Sequence, residues 1–140
     1  MDSGRVAMEL FDDIDRTAEA AISGGDETKA MGVALSDAST RIRATTVTLM
    51  ERLAGNPVDA FSGATPYLTM LGELVGGWSM VLQANAAAAR LDAGDDDVRL
   101  AAKIATASFY CEQLLPVALG RQGAVLASAA ALTEFDAALF

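Results

Sequence analysis

TPYLTMLGELVGGWSMVLQANAAAARLD, residues 65–92, carries one helical periodicity from end to end. Thr65 can accept a backbone hydrogen bond, and Pro66 at the first helical position lacks only a donor that would be orphaned there anyway. Tyr67, Leu71, Leu74, Trp78, Val81 and Ala88 share one face of the helix, while Leu68, Val75 and Leu82 lie beside it. Two apolar faces place this helix at the centre of a helical domain.

Working outward, Gly24-Gly25, Gly55-Asn56-Pro57 and Ala93-Gly94-Asp95 are the points where helix stop signals meet start signals. They predict helices over about 3–23, 26–54, 65–92 and 96–132. Asp2 or Ser3 would cap the first, whose apolar face is Val6, Leu10, Ile14, Ala18 and Ala21. Met31, Leu35, Ala38, Ile42, Thr45 and Leu49 step along the second by fours and threes, the spacing of a bundle seam. Gly55 and Pro57 end that helix, and a short loop is expected up to Ser62. Asp95-Asp96-Asp97 suits the positive end of the last helix, which Pro116 is expected to kink or split. The reading is an all-α fold, an antiparallel bundle of four long helices in one domain spanning residues 1–140.

Composition agrees, because hydrophobic residues make up 52% of the chain and aromatic ones only 6%, which favours closely packed helices over strands. Ten basic and 19 acidic residues give a net charge of −9, which argues against nucleic acid or an anionic membrane as partner. Arg41 and Arg43, the nearest approach to a basic cluster, read as helix-surface or ion-pair residues. The most apolar stretch, Tyr67 to Leu82, is short and interrupted by Glu73, so no membrane span is expected. Cys111 is the single cysteine, and a reducing, cytoplasmic location is expected.

The chain contains no histidine. That removes Ser-His-Asp and Cys-His catalysis and the histidine-built metal sites of helical bundles. Glu112, flanked by apolar neighbours, is the best carboxylate for a general base, but an ion pair or solvent exposure is the simpler expectation. Cys111 reads as a small buried hydrophobe. Asp92, Asp95, Asp96 and Asp97 lack the spacing of a calcium loop. Gly72, Gly76 and Gly77 fall within a helical pattern with no preceding strand, and are assigned to close helix packing rather than to a phosphate cradle. No catalytic, cofactor-binding or metal residue is expected.

Gly63-Ala64-Thr65-Pro66-Tyr67-Leu68, Gly76-Gly77-Trp78, Lys103-Ile104-Ala105-Thr106-Ala107 and Phe109-Tyr110-x-Glu112-x-Leu114-Leu115-Pro116 form a distinctive set. It resembles the carboxy-terminal helical domain of bacterial acyl-CoA dehydrogenases, in particular those of the 3-methylmercaptopropionyl-CoA dehydrogenase type, over roughly Met31 to Leu126. Ser108, Cys111 and Gln113 depart from that pattern. The resemblance implies a segment of an FAD-dependent enzyme that oxidises an acyl-CoA thioester, with the catalytic and flavin-binding residues in preceding domains. It implies an acyl-CoA dehydrogenase catalytic core or a second copy of the chain as partner. A stand-alone homo-oligomeric interaction bundle is the alternative, and a small carboxylate enzyme ranks third. The interaction residues expected are Pro66, Tyr67, Trp78, Phe109, Glu112 and Pro116, together with Phe135, Leu139 and Phe140 of an apolar terminal segment that would dock on a helix.

Overall fold

Glycine breaks the chain where the sequence predicts, and helices fill the space between. The computed structural model describes residues 4–130 and Glu134, and among them there is no strand. The helices are α1 (Arg5–Ser23), α2 (Asp26–Gly55), α3 (Pro57–Ser62), α4 (Ala64–Asp92), α5 (Val98–Phe109), α6 (Leu115–Gly120) and α7 (Gln122–Val125), with a π-helical turn, Tyr110–Leu114, joining α5 to α6. The all-α expectation holds. Gly25 at φ 128° and Gly94 at φ 89° turn the chain at backbone angles that a side chain would resist.

Helices α1 and α2 run antiparallel. Gly4 lies against Met50 at one end, Asp15 takes a hydrogen bond from the Ser39 hydroxyl at 2.5 Å midway, and the Thr28 hydroxyl donates to the Ala21 carbonyl at 2.7 Å near the turn. Arg43 adds ion pairs to Asp12 at 2.9 Å and Asp15 at 2.6 Å, so it is an ion-pair residue as expected. Between the two helices Phe11, Ile14, Ala18 and Ala21 meet Met31, Leu35, Ala38 and Ile42, all at most 2% exposed. Each large side chain buried this way contributes about 1.5–3 kcal/mol. The hydroxyls of Thr28, Ser39, Thr45 and Thr46 lie within this packing, and each has a hydrogen-bond partner.

Helix α4 lies against this pair and against α5, with Met70, Leu74, Gly77, Val81, Ala84 and Ala87 turned inward. α4 and α5 are antiparallel, since Lys103 Nζ donates to Gln83 at 3.0 Å while the Tyr110 hydroxyl donates to the Glu73 carbonyl at 2.9 Å.

Four boundaries differ from the sequence reading. Residues 57–62 form α3 instead of a loop, because Pro57 ends α2 and then occupies the first turn of a new helix, where proline is tolerated. α4 begins at Ala64 with Gly63 as its cap. Thr65 therefore makes no capping bond, and its carbonyl accepts the Thr69 hydroxyl at 3.1 Å. The helix expected from residue 96 starts at Val98, where Asp97 accepts the Arg99 amide at 3.0 Å. Finally, the last rod is split near Pro116, as expected, and the break is a π turn over residues 110–114. The π turn lets the Leu115 amide reach back to the Tyr110 carbonyl, opening the ladder where proline has no donor. The rod also turns at Arg121 and is broken again over residues 126–129, where one run through to residue 132 was expected. The Arg52 guanidinium donates to the Leu126 carbonyl at 2.9 Å, and Asp59 accepts the Ala129 amide at 2.6 Å. The capping expected of Asp2 or Ser3 falls outside the described residues.

Candidate functional site

Trp78 supplies the tie between α4 and α1, where its indole Nε1 donates to Thr17 Oγ1 at 2.7 Å, and Asn85 adds a bond to the Thr17 carbonyl at 3.2 Å. Tyr67 plays the same part toward α2, with its hydroxyl 2.9 Å from that of Thr46. Pro66 is half-buried in the first turn of α4. The polar side-chain atoms of Trp78 and Tyr67 are thus spent on holding helices in register.

Gly76 and Gly77 make room for α5 and its continuation. A Cβ on Gly77 would stand 2.9 Å from Leu115 Cδ2, and one on Gly76 would overlap the Tyr110 hydroxyl. Gly72 differs, because no described residue lies within 4 Å of the Cβ it lacks. The packing role expected of it has no counterpart among the described residues. Beside the Tyr110 contact, Glu73 receives two bonds from Arg121, at 3.0 and 2.8 Å. This two-pronged pair fixes the bend at Arg121. Sequence reading noted Glu73 as an interruption but had no signal for a partner 48 residues on.

The candidate chemistry groups do not converge. Glu112 is exposed and accepts a hydrogen bond from the Ser108 hydroxyl at 2.9 Å, one turn away on its own helix. Cys111 is 3% exposed, and burial, with a smaller contribution from Glu112, pushes its thiol up to about 11. Burial and the nearby Glu73 also raise the Tyr110 phenol. Asp95 and Asp97 are held below the usual carboxylate range, Asp95 by the Asp97 amide and Arg90, and Asp97 by the Arg99 side chain and amide. Both are thus occupied by caps and arginines. Among the described residues no group of three or more His, Cys, Asp or Glu could hold a metal ion. A shallow groove of ≈ 240 Å³ between α4 and α5 is lined by Met80, Gln83, Ala102, Lys103 and Thr106, a set without a carboxylate.

What stands out instead is exposed apolar surface. Phe109 is 62% exposed and Val117 56%, on either side of an exposed Pro116. On α4 the second apolar face predicted from the sequence is real but left uncovered by the described residues: Leu68 is 66% exposed and Leu82 46%. With the exposed Gly72, Ser79, Ala86 and Ala89 and the half-buried Val75, they form a stripe at alternating four- and three-residue steps. Phe135, Leu139 and Phe140 lie outside the described residues. No described helix is long and apolar enough to cross a membrane.

A family model described as acetyl-CoA dehydrogenase C-terminal like matches residues 10–136. The chain belongs to the acetyl-CoA dehydrogenase C-terminal-like family. The resemblance seen in the sequence is thereby borne out. A curated relative, 3-methylmercaptopropionyl-CoA dehydrogenase of Ruegeria pomeroyi, is 33% identical over 114 residues, which cover 81% of this chain and 19% of the relative. This member of the acetyl-CoA dehydrogenase C-terminal-like family therefore matches less than a fifth of that enzyme's length.

Proposed function

We propose that this chain is the helical accessory domain of an FAD-dependent acyl-CoA dehydrogenase, acting by packing against protein surface while the redox chemistry is carried out by other domains. The observation that carries this reading is the family match over residues 10–136, joined to a relative in which the aligned part is 19% of the whole. The absence of histidine, the buried and proton-retaining Cys111 and the solvent-facing Glu112 all support it. A flavin dinucleotide does not fit the groove between α4 and α5. The groove of ≈ 240 Å³ falls below the range of pockets for drug-sized ligands, and it offers one ammonium for a pyrophosphate. FAD would be held by the catalytic core, and the substrate would be an acyl-CoA thioester, as the relative's name says of that enzyme. A stand-alone homo-oligomeric bundle is the second reading, favoured by the uncovered face of α4.

The test mixes the purified chain with a candidate flavin core, follows co-elution on a sizing column, and records the absorbance of the chain alone. Co-elution with a colourless chain is expected. A near-stoichiometric flavin spectrum from the chain alone would overturn the assignment.

A further inference from the structure

The outer face of α4 is not a random scatter of exposed apolar atoms. Its larger side chains, Leu68, Val75 and Leu82, alternate with Gly72, Ser79 and Ala86. A parallel partner of the same sequence would set large against large and small against small, giving crowded and empty layers in turn. An antiparallel partner sets every large residue against a small one. Full overlap centres the pairing at the level of Gly77, which places Leu68 opposite Ala86, Gly72 opposite Leu82 and Val75 opposite Ser79. We propose that this face of α4 pairs with the same face of a second copy of the chain, the two helices running antiparallel about a two-fold axis.

Charge points to the same partner. Between Thr65 and Ala89 the single charged residue is Glu73, which Arg121 holds on the α5 side of the helix. In a chain of net charge −9, most other surfaces would bring acid against acid on self-association, whereas this one desolvates no charge. The pairing gives Gly72 the neighbour it lacks among the described residues. It also names one partner for the packing role proposed above and rests on that reading to this extent.

Sedimentation equilibrium of the full chain from about 1 to about 100 μM, with Leu82→Glu and Leu68→Glu, tests it. A mass of twice 14.5 kDa is expected for the parent chain. Both glutamate variants should keep the parent's circular dichroism, since the replaced residues are exposed, yet dimerise at least about tenfold more weakly. Orientation is tested by mixing a Leu68→Cys chain with an Ala86→Cys chain under mild oxidation. The mixture should cross-link, and neither chain alone should, because two copies of position 68 would lie roughly 27 Å apart along the axis. Cys111 is too buried to interfere. A chain that is monomeric throughout, a glutamate variant that dimerises as the parent does, or Leu68→Cys cross-linking to itself would overturn the proposal. Dimerisation that appears only after residues 131–140 are removed would assign the face to the chain's own terminus and overturn it as well. A monomer that still co-elutes with a flavin core would sink the pairing and spare the accessory role; a dimer indifferent to every core would do the reverse.

Discussion

Gly32→Ala sets a local preference against a tertiary constraint, and the structure decides which prevails. In the middle of α2, alanine is favoured over glycine by about 1 kcal/mol. Against this, a Cβ on Gly32 would stand 2.7 Å from the Ala18 carbonyl oxygen and 2.8 Å from both the nitrogen and Cγ1 of Ile22, where ordinary contact begins at 3.4 Å. Two of those three atoms are backbone, so no side-chain rotation relieves the overlap. α1 must retreat by roughly 0.6 Å, a gap that forfeits a quarter or more of the dispersion energy between the facing core residues. Overpacking of this kind costs about 1–3 kcal/mol, and the rigidity of the neighbour points to the upper half. The net loss is about 1–2 kcal/mol. With an unfolding entropy of about 2.1 cal/mol/K per residue, that lowers Tm by roughly 3–7 °C. Gly120→Ala is the control, since no described residue lies within 4 Å of its added methyl, and it should leave Tm unchanged or raise it. Scanning calorimetry on the three proteins at one concentration checks both. A Gly32→Ala chain as heat-stable as the parent would refute the close approach of α1 and α2.

Cys111 should resist an aromatic disulfide reagent in the native chain at pH 8 and react fully in denaturant; with the thiol pushed up to about 11, roughly one molecule in a thousand carries the thiolate at that pH. Stoichiometric labelling of the native chain within minutes would contradict its burial. Asp97 caps α5, and its carboxyl is held below 3.8 by the Arg99 side chain and amide, so its contribution to stability is present above the unfolded pKa and lost as pH falls through the folded one. Asp97→Asn keeps a capping oxygen without the charge; its Tm should lie below the parent's at pH 7, and the gap should close as the solution is acidified from pH 4 downward. A gap independent of pH would show that the charge is irrelevant.

The helices were legible because apolar periodicity and glycine punctuation are local properties of the chain. Asp26–Gly55 differs from its prediction by one residue, and Asp92 ends α4 as read. Pro57 was misread because the same residue that stops one helix can open the next. The π turn was invisible in sequence, since it depends on Pro116 together with the seating of Tyr110 and Leu115 against Gly76 and Gly77. Glu73–Arg121 and the close approach at Gly32 were missed for a related reason: both partners lie on other helices, where no spacing rule reaches. Of the candidate site, the two apolar faces of α4 were read from the sequence and their different fates were not. Leu68 and Leu82 repeat with the same period as the buried Leu74 and Val81, and periodicity cannot tell a helix of the same chain from one supplied by another.

The hold of Arg52 on Leu126 and of Asp59 on Ala129, with Gly4 lying against Met50, brings both described ends of the chain to the corner between α2 and α3. The two leads of the fold therefore leave from one pole, while the turns at Gly25 and Gly94 lie away from it. A unit wired this way can be appended to another protein, inserted into a loop, or circularly permuted by a short bridge without threading a strand through its core. Its opposite pole and long flanks stay clear of the junction.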